Sequence, residues 1–567
     1  MDYKNKYLKY KQKYIDLKNQ YAFEQSDSFK QKYIQLKTEN AFVLSDSFKQ
    51  KYLHLKNQAA GVYIGTKADG SLIDVPDLLF YHETAKHWSL NQAVKFSQIS
   101  QDTRRFVAAM PWDFYETTIP GGMPLNIFNR IFPKAVGINI SGRMDITDAD
   151  FFHLRQIQKL NMSSCGQLTN AAFAHLTRLT KLKMRNCNQP TITNAAFTHL
   201  TRLTTLDMSW CNQPTITDIA FTHLANLRTL NMSGCSQPTI TDTAFTYLPN
   251  VRTLDMSGCS QPTITDAAFA NLSRLTTLDM SYCSQPVITD AAFTNLYRLT
   301  TLNMTRCNQP TITDAAFIHL TNLTTLNMEL CNQPTITDAA FTNLHRLTIL
   351  NMTRCNQQTI TDAAFTNLIN LTILIMNGCN QQTITDLAFF HLSRLTKLYM
   401  SRCNQQTITG TGFIYLTNLT FLLINDCNQF TDASFTNLRN LRTLHMEFCN
   451  QPTITDAAFI NLTNLTTLNM SSCNQNTITD AAFTHLRNLT TLRIQACRQI
   501  TITDVAFTNL TNLTKLDMMY CNQPTITDAA FTYLPNLTSL EMRFCNQPTI
   551  TPAMRAQLRQ RIPDFKE

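Results

Sequence analysis

Cysteine is the residue type whose spacing most invites a chemical reading. The chain has 17 cysteines in 567 residues, at 165, 187, 211 and then every 24 residues to 427, followed by 449, 473, 497, 521 and 545. A zinc ribbon or RING site needs cysteine pairs a few residues apart, and the nearest two here are 22 apart. An odd number on a fixed interval is no disulfide framework either. It marks one structural position filled repeatedly by a small, apolar, free thiol in a reducing compartment. Histidine recurs at another position of the same period (His175, His199, His223, His319, His391, His485), which would suit a metal ladder. Asn271, Asn295 and Asn343 fill that position in other copies, and Asn is a poor transition-metal ligand, so the column reads as a polar face. No P-loop, no GxGxxG after a strand and no GxSxG elbow is present. The expectation is a chain with no catalytic residue, no metal and no cofactor, hence not an enzyme.

The period that spaces the cysteines also defines the element that carries them. From about 136 to 558 one unit recurs, for which LTTLDMSGCSQPTITDAAFANLSR stands as a representative copy. L-x-x-L-x-M-x-x-C alternates apolar and variable residues as a short strand does, and T-D-A-A-F-x-x-L places Ala, Phe and Leu at helical spacing. Thr at the start, as in Thr265-Asp266, is expected to cap the helix with its hydroxyl, while Asp complements the positive first turn. In the last copy Pro552 replaces Asp, which suits a first helical position. Arg555 there replaces the core Phe, as a terminal cap with no neighbour would require. No copy buries its apolar face alone, so the copies must stack into a solenoid.

Invariant columns have core or cap explanations, which leaves the variable ones for recognition. The position immediately before Cys carries Trp210, Tyr282, Arg306, Arg354, Arg402, Phe448, Tyr520 and Phe544. Aromatic residues and Arg dominate protein-binding hot spots, so these are the target-binding candidates, expected on the concave strand surface. Arg306, Arg354 and Arg402 would suit an acidic or phosphorylated partner.

The formal net charge of +9 is concentrated: residues 1–60 hold 12 Lys against 6 acidic residues. The repeats are nearly balanced, which makes nucleic acid an unlikely partner for the main body. Residues 1–58 contain a second repeat of period 19, seen in YKQKYIDLKNQ, FKQKYIQLKTE and FKQKYLHLKNQ, each with one apolar helical face. No run of 18 apolar residues and no apolar leader stretch follow from the N-terminus, so no membrane contact and an intracellular location, cytoplasmic or nuclear, are expected. The numerous N-L-T triplets match glycosylation sequons but fall in one structural column.

Three resemblances are carried by these residues. The repeat resembles the cysteine-containing class of leucine-rich repeats, L-x-x-L-x-L-x-x-C followed by I-T-D, in seventeen Cys-bearing copies and a preceding copy, VGINI with ITDADF. This implies an α/β solenoid, a horseshoe of about eighteen 24-residue units. Ahead of it, Val75-Pro76, the apolar Leu78, Leu79 and Phe80, the stretch FSQISQDTRRF (96–106) and Trp112 resemble an F-box, a small all-α module. That resemblance departs at Glu83, Thr84 and His87 and implies a Skp1-like adaptor as partner, met by Val75, Pro76, Leu78, Leu79, Phe80, Phe96, Ile99 and Phe106. A helical cap on the first repeat is the other reading of this segment. The opening KYLKYKQKYIDLKNQ resembles the N-termini of proteins from giant DNA viruses of amoebae, which implies a host adaptor. The expected organisation is therefore basic helical repeats (1–58), linker (59–70), F-box-like module (71–117), connector (118–135), repeat array (136–558) and C-terminal tail (559–567). The expected function is recognition of an unknown protein target for a Skp1-cullin-F-box ubiquitin ligase, or stand-alone scaffolding through the repeats.

Overall fold

The computed structural model describes residues 89–98 and 101–567. The expected basic helices, the linker, and Val75, Pro76, Leu78, Leu79, Phe80 and Ile99 lie outside the described residues. Phe96 falls in the helix Leu90–Ser97 and Phe106 in the helix Gln101–Ala109. The chain forms two units, one ending at Asp207 and the other beginning at Met208.

In the first unit the strand Asp113–Thr118 pairs in parallel with Gly137–Asn139, and Lys159–Asn161, Lys181–Lys183 and Thr205–Asp207 follow in parallel. This first strand runs across the boundary expected at residue 117. Trp112 and Phe114 stack at 5.7 Å, and both meet Phe132, which sits 5.1 Å from Phe128 of the helix Leu125–Ile131. The Trp112 indole donates to the Val107 carbonyl at 2.7 Å. Buried Arg143 donates to the Gly121 and Met123 carbonyls and pairs with Asp145, tying the connector to the first repeat. The polar handles of these large side chains are thus satisfied while their apolar bodies cover the edge of the array.

The second unit is a parallel ladder from Thr229–Asn231 to Asp564–Lys566, in register at 24 residues as in Leu326↔Leu350, except for Phe421↔Thr443 at 22 and Ser539↔Asp564 at 25. Its last strand lies in the segment expected to be a C-terminal tail and the helix Pro552–Arg561 crosses the boundary expected at 558, so the ladder runs beyond that residue. Arg555 donates to the Cys545 and Ile550 carbonyls and pairs with Glu567, closing the final repeat with polar contacts.

Most repeats bury the Leu of their three-residue strand, the Met just past it, the Cys, the Ile, and the Ala and Phe after Thr-Asp, as in Leu326, Met328, Cys331, Ile336, Ala340 and Phe341. Burying one such large apolar side chain contributes about 1.5–3 kcal/mol, available only when the neighbouring repeats are stacked. The expected helix is shorter than its spacing suggests. In most copies it is a single 3-10 turn such as Asp314–Phe317, and only Asp242–Thr246 and Asp266–Phe269 are α-helical among the inner repeats. A 24-residue copy that returns to the next strand leaves room for one turn, closed by i to i+3 bonds such as Ala316 N to Thr313 O at 3.1 Å.

Polar columns tie the repeats together. Asp314 does more than favour the first turn: its Oδ1 accepts from Thr337 N and its Oδ2 from Thr337 Oγ1, each at 2.7 Å, one repeat on. The Thr hydroxyl in turn accepts from the amide two residues on, as Thr313 does from Ala315 at 3.2 Å, which is the expected cap. Asn332 Oδ1 accepts from Asn356 N at 2.8 Å, and Thr324 Oγ1 donates to Thr300 O at 3.0 Å. The Cys thiols donate across repeat boundaries, as Cys331 Sγ does to Met304 O at 2.8 Å. Burial pushes the Cys331 thiol up to about 12, against hydrogen bonds from Cys307 and Arg306. Such thiols are poor nucleophiles.

Candidate functional site

The position before Cys lies in the turn that leaves each strand, three residues past the strand's end, and not on the strand as expected. Its backbone is left-handed throughout: the non-glycine residues of the column have φ between 53° and 61°, and Gly142, Gly234, Gly258 and Gly378 have φ of 66° to 72°. Glycine fits this conformation without strain, whereas other residues cost roughly 1–2 kcal/mol. The ladder holds it in place, for example through Arg306 N to Glu329 O at 2.8 Å.

Side chains in this column lean on one another. Arg306 lies 5.2 Å over the Tyr282 ring, and Tyr520 and Phe544 stack at 4.7 Å. Arg402 reaches Asp426 at 3.7 Å. Trp210 covers the bare backbone of Gly234, where a Cβ would come within 2.8 Å of the indole, and Arg354 similarly covers Gly378. The column is an exposed ridge, with Trp210, Phe448 and Phe544 all more than half exposed. It brings Tyr282 to Arg306 and Tyr520 to Phe544, and leaves Trp210, Arg354, Arg402 and Phe448 apart from those pairs.

A different cluster stands on the strands themselves. The two outward strand positions are Thr and Asp or Asn in most repeats, as in Thr277–Asp279 and Thr325–Asn327. Three consecutive strands depart from this: Ile373–Ile375, Lys397–Tyr399 and Phe421–Leu423, preceded by Ile349 and followed by His445. Their register places Ile349 beside Ile373, Ile375 beside Tyr399, Tyr399 beside Leu423 and Leu423 beside His445. Phe421 sits 4.7 Å from the Tyr399 ring and 5.6 Å from His445. Burial lowers the His445 pKa, Glu447 opposes and Arg493 reinforces, so its imidazole is neutral at physiological pH and continues the apolar surface. At one strand spacing per residue pair the patch from Ile349 to Phe421 spans about 14 Å, with all its members half-buried and facing solvent.

This patch displaces polar groups that serve the fold. In an ordinary repeat Asp279 Oδ1 accepts from Ser281 N at 2.9 Å and from Ser281 Oγ at 2.7 Å. Ile375, Tyr399 and Leu423 offer no such acceptor. The turn is rewired instead: Asn377 Oδ1 accepts from Ser401 N at 2.8 Å and Asn425 Oδ1 from Glu447 N at 3.0 Å, both across a repeat boundary. The opposite side of the same repeats is irregular as well. Gly410 stands where most other copies have Asp, at φ 85°, and a Cβ there would come within 2.3 Å of Ser434 Oγ. Asp386 gathers bonds from Thr409, Gly410, Thr411 and Gly412, and Thr431 N turns to Ser434 Oγ for want of a carboxylate. Burial pushes the Asp386 carboxyl up, but those bonds outweigh it and hold the group below the ordinary carboxylate range.

The sequence carried a signal for the patch, in the strand triplets ILI, KLY and FLL where TLN or TLD recurs. Elsewhere, His175 packs edge-on to Phe152 and His391 to Phe390, and no group of three or more His, Cys, Asp or Glu among the described residues is arranged to hold a metal ion. The sequon asparagines donate between repeats, as Asn464 Nδ2 does to Arg439 O at 2.9 Å. No helix among the described residues is long and apolar enough to cross a membrane.

Among solved structures, the chain is similar to one in the TLR13–ssRNA13 complex, at 18% identity over 75% of this chain and 87% of that one, with a TM-score of 0.43. It is also similar to a chain of the Toll–Spatzle complex of Drosophila, at 18% identity over 75% of this chain and 56% of that one, with a TM-score of 0.50. The glycosylated form of that complex matches at 18% identity over 69% and 52%, again with a TM-score of 0.50. The chain thus spans about half the length of the Toll-complex chains, and the likeness is one of fold. No curated protein sequence matches it. The family model for the BspA-type leucine-rich repeat region matches in 6 copies, over 134–252, 191–324, 238–356, 310–442 and 428–547. Those matches span most of the chain and coincide with the stacked strands, so the protein belongs to the BspA-type leucine-rich repeat family.

Proposed function

We propose that this protein is a non-catalytic recognition subunit that holds a protein target against the outward face of its strands, centred on Ile373, Ile375, Tyr399, Phe421 and Leu423. The observation that carries this reading is the replacement of fold-serving Asp and Asn by apolar residues on three consecutive strands, with the turn bonds rewired around them. Half-buried aromatic and aliphatic side chains in a contiguous cluster, rimmed by Arg and polar groups, have the anatomy of an interface core. The Toll chain's partnership with Spatzle is a protein complex on the same fold and is consistent with this use. In its finer form the reading makes residues 71–117 an F-box-like dock for a Skp1-like adaptor, inside a host cell if the chain is viral, with the recruited ligase supplying the chemistry. The array then contributes proximity and orientation.

A pull-down with Skp1, comparing the intact chain with Val75→Glu/Leu79→Glu, tests the dock: binding lost in the variant supports it, and equal or absent binding removes it. Mass spectrometry of co-purified proteins, comparing the intact chain with Ile375→Asn/Leu423→Asn, tests the patch. An unchanged set of partners would remove it from the site. The stand-alone scaffold is the second reading. It is favoured by the way Trp112, Phe114 and the strand Asp113–Thr118 are built into the edge of the array, which is the work of a cap.

A further inference from the structure

The strands of the patch and their flanks carry more cations than anions, and we infer that its occupant is an acidic protein segment, one that places an aliphatic or aromatic anchor on Tyr399, Phe421 and Leu423 with carboxylates beside the cations. This deepens the recognition reading above and rests on it. From one residue before to three residues past each of the five strands that carry the patch, the charged residues are Arg354, Lys397, Arg402, Asp426, Arg442 and Glu447. Asp426 is engaged by Arg402 at 3.7 Å, and Glu447 accepts from Asn469 Nδ2. Arg354, Lys397 and Arg442 have no acidic partner among the described residues, and all three are exposed. Lys397 lies on the patch itself, beside Ile373 on one strand and Phe421 on the other. Arg354 follows the Ile349–Asn351 strand and lies over Gly378 of the next repeat. Arg442 precedes the strand Thr443–His445 and lines a shallow groove with Asn418, Asn440, Asn464 and Thr420, the residue that precedes Phe421.

The three free cations therefore border the apolar core at one end, at its middle and at the opposite edge of the strands. A neutral apolar partner would leave them partly desolvated and unpaired, which costs free energy, and a basic partner would be repelled. A carboxylate near each one satisfies the rim while the anchor fills the core. The Asn and Thr groups of the groove add donors suited to a carboxylate or a backbone carbonyl. Arg306, two repeats before Arg354, is occupied by the Tyr282 ring and lies outside this set.

The test uses the full-length chain and fluorescein-labelled synthetic peptides with a Leu-Phe-Leu core, flanked by Glu, by Gln, by Lys or by phosphoserine, read by fluorescence anisotropy. The Glu peptide is expected to bind and to weaken about tenfold when its flanks become Gln, a difference of about 1.4 kcal/mol. Arg354→Glu/Arg442→Glu should reverse the order and favour the Lys peptide, and Ile375→Asn/Leu423→Asn should lose all of them. Equal binding of Glu and Gln peptides, retention of the Glu peptide by the charge-reversed chain, or no binding by any peptide overturns the inference. A phosphoserine peptide more than about tenfold tighter than the Glu peptide overturns the choice of carboxylate. The recognition reading fails separately, by partners that ignore Ile375→Asn/Leu423→Asn; partners that depend on those residues but not on the charges would sink the acidic segment alone.

Discussion

Asp338 shows how much a single repeated residue does in this array. Its carboxylate takes both the amide and the hydroxyl of Thr361, each at 2.7 Å, while Thr337 caps the turn that Asp338 begins. Asp338→Ala should leave the Thr361 amide and hydroxyl without their acceptor and lower stability by about 2–3 kcal/mol in urea unfolding. Asp338→Asn should cost less than about 1 kcal/mol, because the chain already contains that solution: Asn170 Oδ1 accepts from Thr193 N at 2.8 Å and its Nδ2 donates to Thr193 Oγ1 at 2.9 Å. Equal midpoints for the Ala variant and the native chain would show that the ladder contributes nothing. The Thr cap was legible in the sequence because its partner is two residues away. The Asp partner was not, since it lies 23 residues on and periodicity tells that a column is fixed without telling which neighbour fixes it.

Strands and turns were legible in kind and misjudged in detail. The alternation in L-x-x-L-x-M gave the strand, and stacking gave the solenoid, because both depend on apolar spacing alone. The same spacing in D-A-A-F-x-x-L suggested a helix where one 3-10 turn suffices, since a three-residue apolar pattern does not encode how soon the chain must turn back. The left-handed residue before Cys was not legible either, because Trp, Arg and Phe disguise a conformation that only the glycines among them hint at. The strand triplets carry the sharpest prediction at this scale. Ile375→Asn and Leu423→Asn restore a residue that several other strands use, with its acceptor for the amide two residues on. Stability should be unchanged or rise by up to about 1 kcal/mol, while partner binding falls at least about tenfold. A loss of more than about 2 kcal/mol in either variant would make the patch a structural feature and not a binding one.

Across the whole molecule the thiol column couples stability to pH in a direction set by burial. Cys187 is pushed up to about 11, and Cys283, Cys331 and Cys497 to about 12, with desolvation the largest cause in each. An unfolded thiol ionises near pH 8.5. Below that value both states keep the proton and the full stability is present. Above it the unfolded chain releases protons that the folded chain retains, so stability falls as pH rises, until the folded value is reached. Each thiol contributes roughly 1.4 kcal/mol per pH unit in that window. Because neighbouring repeats open together in a one-dimensional array, a segment of several repeats loses several such increments at once. Urea midpoints in the presence of a reductant should therefore hold up to about pH 8.5 and drop steeply between about pH 8.5 and about pH 11. A chain carrying Cys283→Ala, Cys307→Ala, Cys331→Ala and Cys355→Ala should show a shallower drop, although its stability at neutral pH is lower. Lys and Tyr titrate alike in both chains, so only the difference in slope reports the thiols. Parallel slopes would mean that the buried column does not govern the alkaline limit, and that the thiols ionise as readily in the stacked array as in the open chain.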